Sequence, residues 1–259
     1  MDYNHKVEWI YGIQPVRELL IAGRRHIHEA VLVVREKTRR ELDELQSFLL
    51  RRKIPFRCVK RDEMDSLSNG GNHQGIALRV GSFPYSSIDE VIHKVCQDTQ
   101  AIVMVLDHIE DPQNVGSLLR TADAVGVSAV LVPKDRAAGI TPAVVRASAG
   151  AAEHMMIARV TNLVHTIEKL KNENMWFAGL EFTEGAKLYT DINMLGRFGI
   201  VIGSEGFGLS RLVRENCDFI AYIPMNGKIS SLNAGIAGAV MLYEILKQRS
   251  FIKNSKMSN

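Results

Sequence analysis

Glu205 stands among three glycines in the stretch IVIGSEGFGLS, residues 200–210. Gly203, Gly206 and Gly208 allow the backbone to approach a ligand closely and tolerate positive φ angles. The spacing does not match GxGxxG, and no Gly-Lys-Ser or Gly-Lys-Thr follows, so the pattern indicates neither a dinucleotide site nor a P-loop. Without the rest of the chain, the simpler interpretation of Glu205 is an exposed acid in a turn.

A second polar stretch is DPQNVGSLLRTADAVGV, residues 111–127. Asp111 can cap a helix and Pro112 suits its first turn, so the stretch predicts a helix. Arg120 lies off the apolar face of that helix, and because helical side chains lean toward the amino end it can reach back toward Asn114. A surface arginine on an ordinary helix explains the spacing equally well.

The third stretch is IPMNGKISSLNAGIAGAVMLYE, residues 223–244. Either Ser230 or Ser231 can cap the final helix, which we expect over about 231–249. The first turns of that helix are unusually small, with alanine or glycine at 234, 235, 237, 238 and 239. Helix propensity alone disfavours the two glycines by about 1 kcal/mol each. We therefore expect another helix, a flat ligand, or both to pack tightly there.

The elements around these stretches are typical of an α/β protein. Residues 1–82 are predicted to form a small unit with strands at 29–34, 55–60 and 74–80 and a helix at 38–52. A linker rich in Gly, Ser and Pro follows at 81–88, and then a helix at about 87–97. Apolar runs separated by helices then predict a parallel sheet, at 102–106, 127–132, 154–160, 176–182, 199–203 and 219–223. In such sheets ligands bind beyond the carboxyl ends of the strands, where all three polar stretches fall.

Composition excludes several classes of protein. The chain has 259 residues, 46% of them hydrophobic, and no apolar run near the ~20 residues that span a bilayer. The first residues lack the pattern of a signal peptide, so we expect a cytoplasmic protein without a membrane partner. Cys58, Cys96 and Cys217 lie far apart, which predicts reduced and mostly buried thiols, and the histidines show no metal-ligand spacing, so we expect no metal.

Charge is distributed unevenly along the chain. Residues 1–82 hold 15 Lys and Arg against 11 Asp and Glu, whereas the remainder holds 17 against 18. This asymmetry favours an anionic partner for the first unit, although a solvated surface is the alternative. The basic candidates for contacts with such a partner are Arg24, Arg25, Arg39, Arg40, Arg51, Arg52 and Lys53.

The three stretches together resemble, in order and spacing, the three motifs of the SpoU/TrmH family of the SPOUT class. Two flanking stretches, at 71–80 and 132–153, resemble the bacterial branch that methylates a guanosine in 23S ribosomal RNA. The resemblance implies S-adenosylmethionine-dependent methylation of an RNA ribose 2′-oxygen. Alternatives are a tRNA or rRNA adenosine substrate, or a non-catalytic RNA-binding ribosome-assembly factor with the same fold.

The resemblance also implies an architecture. Residues 1–82 would form a ribosomal-protein-like RNA-binding domain of α/β type, 83–98 a linker and connecting helix, and 99–259 a mostly parallel α/β SPOUT domain with a deep trefoil knot. Knots are otherwise disfavoured by general topology rules. Family members work as homodimers, so a homodimer that binds RNA, ribosomal RNA first, is expected.

Residue roles follow from the motifs by resemblance alone. The catalytic set would be Asn114, Arg120, Glu205, Ser231 and Asn233. The residues that hold S-adenosylmethionine would be Leu180, Glu181, Phe182, Gly203, Ser204, Gly208, Ile223, Met225, Ser231 and Leu232. One departure is Gly235, where relatives often carry a serine.

The chemistry leaves two interpretations of Arg120 open. A guanidinium is effectively always protonated, so Arg120 can grip the phosphate of the target nucleotide while that phosphate or Glu205 helps to remove the proton. In the other interpretation a perturbed Arg120 takes the proton itself. Glu205 would orient Arg120 or the target ribose.

Overall fold

The structure, a computed structural model, describes residues 7–34, 39–229 and 231–257, with side-chain environments through residue 250. Its strands are β1 (Glu8–Tyr11), β2 (Ile27–Val33), β3 (Phe56–Val59), β4 (Ile76–Val80), β5 (Ile102–Asp107), β6 (Ala129–Pro133), β7 (Ile157–Val160), β8 (Trp176–Leu180), β9 (Lys187–Leu188), β10 (Phe198–Gly203) and β11 (Phe219–Tyr222). Its α-helices are α1 (Ile13–Ala22), α2 (Arg40–Arg51), α3 (Arg61–Leu67), α4 (Ile88–Gln97), α5 (Pro112–Val125), α6 (Pro142–Ala147), α7 (Leu163–Lys171), α8 (Arg211–Asn216) and α9 (Ala234–Met257).

The chain divides into two compact units. The first takes the described residues up to Pro84 together with Ile140–His154, and the second takes Tyr85–Gly139 and the described residues from Met155 onward. The predicted bounds had placed residues 140–154 within the second domain. In the structure this segment, which contains α6, belongs to the first unit.

The first unit is built on a four-stranded sheet in the order β1-β4-β2-β3. Only β2 and β3 run parallel among these pairs, whereas β4 runs antiparallel to both its neighbours. Helix α2 forms because Leu42, Leu45 and Leu49 recur at helical spacing and all three are buried. The predicted strands and the α2 helix are confirmed, while β1 and α3 were not predicted from the sequence.

Residues 140–154 are attached to the first unit by charged and polar contacts. Arg146 donates a hydrogen bond to the Tyr11 hydroxyl. His154 pairs with Glu18 at 2.8 Å. The carboxylate of Glu153, 1% exposed, lies 3.3 Å from the buried guanidinium of Arg25. The inserted segment therefore contributes to the interior of the first unit.

The burial of Arg25 overturns one prediction. Its side chain is fully buried between Glu8 and Glu153, and its guanidinium lies over the Phe83 ring. Arg25 is therefore unavailable to RNA phosphates. The other basic candidates are all exposed, namely Arg24, Arg39, Arg40, Arg51, Arg52 and Lys53.

The second unit contains a seven-stranded sheet in the order β7-β6-β5-β10-β8-β11-β9. Every neighbouring pair in it runs parallel, as the apolar runs predict. All residues of β5 and β6 are buried because helices cover both faces. The short strand β9 was not predicted.

The helices of the second unit begin where the sequence supplies caps. Asp111 accepts a hydrogen bond from the Gln113 amide at 3.0 Å, and Pro112 is the first residue of α5, as predicted. Ser87 and Glu90 form a reciprocal capping box at the start of α4. These caps fix where the chain turns from a strand end into a helix.

Within the described residues, no helix is long and apolar enough to cross a membrane, and no group of three or more His, Cys, Asp and Glu side chains could hold a metal ion. The prediction of mostly buried thiols is wrong, since Cys58 and Cys96 are exposed. Burial and the neighbouring Asp218 raise the pKa of the Cys217 thiol to about 12.

Candidate active site

The loops that carry the three polar stretches leave the same edge of the sheet. Strands β5, β10, β8 and β11 are consecutive neighbours and parallel, so their carboxyl ends lie side by side. Asp107 at the end of β5 pairs in register with Gly203 at the end of β10. The stretches beginning near 111, 203 and 223 therefore start close together although they are distant in sequence.

Asn233 joins the three stretches directly. Its side-chain nitrogen donates to Asn114 Oδ1 at 2.7 Å and to Glu205 Oε1 at 2.6 Å. Its side-chain oxygen accepts from the Ile236 amide at 3.2 Å, so Asn233 also caps α9. We had expected a serine cap. Ser230 lies outside the described residues, and Ser231 precedes the cap.

Glu205 has a second structural partner. Besides Asn233, its Oε1 accepts from the Ala234 amide at 3.2 Å, which places a carboxylate at the amino end of α9. A negative charge is favourable there because the free amides of a helix start carry partial positive charge. Glu205 Oε2 has no hydrogen-bond partner among the described residues.

Arg120 and Ser231 are not part of this junction. Both side chains are exposed and make no hydrogen bond or ion pair within the described part of the chain. The expected contact between Glu205 and Arg120 is therefore not present in the single chain. Asn114 by contrast is 5% exposed and occupies the first turn of α5.

The small residues of α9 pack against α5, as the sequence suggested. A β-carbon at Gly235 would overlap Ser117 Oγ, and one at Gly238 would overlap the side chains of Leu118 and Ile202. The two helices therefore approach closely where Asn233 meets Asn114. This contact explains glycines that helix propensity disfavours.

The glycine turn after β10 packs against the side chain of Glu181. Gly208 adopts φ +67°, and a β-carbon there would overlap Glu181 Oε1. The Glu181 carboxylate accepts from Arg214 Nη2 at 2.7 Å and from the Leu209 amide at 3.4 Å, and it also pairs with Arg214 Nε. The hydrogen bonds to Glu181 raise the pKa of Arg214. Glu181 thus positions the turn with its side chain.

The other residues predicted to hold the cofactor surround the ends of β8, β10 and β11. Phe182 is 77% exposed, and its ring contacts the Tyr222 ring edge to face with 5.6 Å between the ring centroids. Ser204 and Gly208 form an antiparallel bridge across the turn. Leu180 and Ile223 are half-buried beside them. Met225 is 37% exposed, and Leu232 is half-buried just before the Asn233 cap.

A cleft of about 500 Å³ opens beside the junction. Its walls include Asn114 and Glu205, together with residues that sequence reasoning did not single out, namely Asp107, His108, Arg136 and Phe207. Asp107 is 1% exposed and accepts from the Ser210 amide at 2.7 Å and from His108 Nδ1 at 2.6 Å. The sequence could have indicated Asp107 and His108, since an acid and a histidine directly follow an apolar run there.

Comparison with known proteins identifies two families along this chain. Residues 101–243 match the SpoU rRNA Methylase family, and residues 9–86 match the family described as RNA 2′-O ribose methyltransferase substrate binding. A putative TrmH family tRNA/rRNA methyltransferase of Staphylococcus saprophyticus is 40% identical over 244 residues, covering 94% of this chain and 96% of that protein. Its counterpart in Staphylococcus epidermidis is 40% identical over 241 residues, covering 93% and 95%.

Solved structures show the same fold. The SpoU methyltransferase AviRb of Streptomyces viridochromogenes, crystallised with its cofactor AdoMet, superposes with a TM-score of 0.77 at 22% identity, covering 94% of this chain and 90% of that one. A structure described as an RNA 2′-O ribose methyltransferase gives 0.76 at 25% identity, covering 95% and 90%. The chain belongs to the SpoU/TrmH family of RNA methyltransferases, whose methyl donor is S-adenosylmethionine.

Proposed function

We propose that this protein transfers the methyl group of S-adenosylmethionine to a ribose 2′-oxygen in RNA, and that the target is a guanosine of 23S ribosomal RNA. The observation that carries the proposal is the junction in which Asn233 binds both Asn114 Oδ1 and Glu205 Oε1. The choice of a 23S guanosine rests on the resemblance of the stretches at 71–80 and 132–153. A tRNA or an rRNA adenosine is the alternative target.

The residues present fit the methyl donor. The Gly203–Gly208 turn has no side chain at three positions, and residues 224–229, 231 and 232 make no backbone–backbone hydrogen bond to other described residues. Such free amides and carbonyls suit a nucleoside that carries no phosphate. We therefore assign the donor to the backbone of the turn and of the 223–232 loop, with Leu180 and Phe182 beside it.

The donor supplies an activated methyl group on a sulfonium. The chain's own residues must align the two reactants, which contributes about 7–11 kcal/mol in favourable cases. In the transfer, the bond from the ribose 2′-oxygen to carbon forms, the bond from sulfur to carbon breaks, and the 2′-hydroxyl loses its proton. We assign that proton to Glu205 Oε2, because Oε1 is already occupied by Asn233 and Ala234.

Arg120 serves as a phosphate grip in this proposal. Its guanidinium is exposed and carries no partner within the described residues, so both edges are available for a bidentate contact with RNA. Ser231 is exposed as well and would contact the RNA or the donor rather than support the fold. The interpretation in which Arg120 itself takes the proton is not needed when Glu205 lines the cleft.

Helix α9 presents two exposed apolar side chains. Ile236 and Tyr243, two turns apart on α9, are 55% and 54% exposed, which suits a second copy packing on this face. We propose a homodimer in the cytoplasm, with residues 1–82 binding RNA and the SPOUT domain of residues 99–259 containing the expected trefoil knot.

The proposed function can be tested with the full chain, methyl-labelled S-adenosylmethionine and ribosomal RNA from a strain that lacks the gene. Label should enter this RNA and not RNA from the parent strain, which is already methylated. Alkaline hydrolysis should leave the label in a dinucleotide, because a 2′-O-methyl group blocks cleavage of the adjacent phosphodiester. Label that is absent, or that appears in mononucleotides, would contradict 2′-O-methylation.

A further inference from the structure

The cleft beside the junction lies on one side of the glycine turn. Its walls follow β5, β6 and β10, whereas the residues assigned to the methyl donor follow β8, β10 and β11. Strand β10 stands between these two sets in the sheet. The turn after β10 therefore separates the donor's assigned position from the cleft, and Glu205 on that turn faces the cleft.

The cleft has the size and lining of a small-molecule site. Its volume of about 500 Å³ falls within the range of ~300–1,000 Å³ that such sites occupy. Ile109 and Leu209, both almost fully buried, provide apolar lining. Among residues 180–182 and the described residues of 223–232, none lines it.

Phe207 is placed for stacking. It stands in the glycine turn, lines the cleft, and is 91% exposed, so it has almost no packing role within the chain. Single-stranded RNA is recognised largely by stacking unpaired bases on aromatic side chains. An exposed ring at the wall of a cleft that also holds Glu205 suits a nucleobase.

His108 offers a fixed hydrogen-bond acceptor. Its backbone lies in the left-handed region, with φ +57°, and its Nδ1 is 2.6 Å from the buried Asp107 carboxylate. The Asp107 carboxylate favours the tautomer with the proton on Nδ1, and in the neutral imidazole of that tautomer Nε2 is an acceptor. Nε2 has no hydrogen-bond partner within the described residues.

Arg136 adds a positive charge at the same cleft. It is exposed, has φ +49°, and forms no ion pair within the described residues. An arginine without a carboxylate partner is suited to an RNA phosphate next to the bound base.

We propose that this cleft binds the acceptor nucleoside, with its base stacked on Phe207 and one of its N–H or O–H groups donating to His108 Nε2. The proposal rests on the proposed function, since it assigns the binding site of the RNA substrate of that reaction. It makes the side chains of Phe207 and His108 contacts of the RNA, while the backbone of the glycine turn remains assigned to the methyl donor.

The test compares methyl transfer to ribosomal RNA from the gene-deleted strain with calorimetric binding of S-adenosylmethionine. Phe207→Leu keeps an apolar side chain but removes the ring, and should lower kcat/KM for RNA about 5- to 150-fold. Phe207→Trp keeps a stacking surface and should stay within about threefold of wild type. Binding of S-adenosylmethionine should be unchanged in both variants.

His108→Gly is the matching variant for the histidine, because glycine adopts the left-handed backbone without strain. It should lower kcat/KM for RNA about 2- to 10-fold, mainly through KM. Trp176→Leu removes an exposed aromatic at the amino end of β8 and serves as the control with unchanged transfer.

The outcomes separate the two proposals. Wild-type protein that neither binds S-adenosylmethionine nor methylates RNA would refute the proposed function. If the wild type is active, either of two results would overturn the assignment of the cleft. One is full activity in Phe207→Leu, and the other is an equal loss of activity in Phe207→Leu and Phe207→Trp. Loss of S-adenosylmethionine binding in Phe207→Leu would overturn it too, because the ring would then serve the donor.

Discussion

At the scale of single residues, Asn233 does three things at once. It caps α9, donates to Asn114 and donates to Glu205, so each hydrogen-bonding group of its amide is used. The sequence indicated that Asn114, Glu205 and Asn233 belong to one site, through the resemblance of their motifs. It could not indicate Asn233 as the cap, because asparagine and serine cap helices about equally well and the choice depends on residues distant in sequence.

Replacing Glu205 by glutamine should separate its two roles. The glutamine oxygen can still accept from Asn233 and Ala234, so the fold and the capping of α9 should persist. Loss of a proton acceptor should lower kcat about 10²- to 10⁴-fold, measured by single-turnover methyl transfer at saturating RNA. Glu215→Gln, on the exposed surface of α8, is the matched control. Wild-type turnover in Glu205→Gln would show that Glu205 does not accept the proton.

At the scale of elements, apolar runs predicted the strands of the large sheet because strands covered on both faces must be apolar throughout. The short elements escaped prediction for physical reasons. Strand β9 has two residues, and α3 buries only Met64, so neither contains enough apolar residues to show a period. The first turn of α9 was misplaced by three residues because its cap is set by tertiary contacts.

The close contact of α5 and α9 makes a prediction about Gly235. In an open helix Gly235→Ala would gain about 1 kcal/mol of stability. Here the new β-carbon would overlap Ser117 Oγ, which is fixed by a hydrogen bond to the Asn114 carbonyl, so we expect a loss of about 1–3 kcal/mol in urea unfolding. The double variant Ser117→Ala/Gly235→Ala should recover most of the loss. A stabilised Gly235→Ala single variant would show that the helices are not in close contact there.

At the scale of the whole molecule, the unit to which residues 140–154 belong was not foreseeable from periodicity. Val144 and Val145 are buried. A helical pattern of apolar residues predicts that one face of a helix is buried, but it does not predict which part of the protein covers that face. The polar contacts that join the segment to the first unit are single pairs between residues more than a hundred positions apart. They include the hydrogen bond from Arg24 to the Glu153 carbonyl, the ion pair of Arg25 with Glu153, and the contact of His154 with Glu18. Such pairs leave no local trace in sequence.

The buried pair of Arg25 and Glu153 should make stability depend on pH. Burial raises the pKa of the Glu153 carboxyl more than Arg25 lowers it. The folded chain therefore retains a proton on Glu153 at pH values where the unfolded chain has lost it. The stability linked to this proton is complete below the unfolded pKa and is lost as the pH rises through the folded pKa.

Glu153→Gln cannot ionise, so its free energy of unfolding should decline less than that of wild type as the pH rises above the usual pKa of a glutamate carboxyl. Urea unfolding as a function of pH measures the difference. Glu168→Gln on the exposed face of α7 should retain the wild-type slope. A Glu153→Gln variant with the same slope as wild type would mean that the folded state does not shift this carboxyl.

The central claim is that loops after β5, β10 and β11 meet so that a methyl donor lies beside an RNA sugar. A crystal structure of the full chain with S-adenosylhomocysteine, the product left after methyl transfer, tests this most directly. We expect the ligand to lie against the backbone of the Gly203–Gly208 turn and the 223–232 loop, on the side of β8. The cleft at His108 and Phe207 should remain open. A ligand that fills that cleft instead, or binds away from the Asn114–Glu205–Asn233 junction, would contradict it.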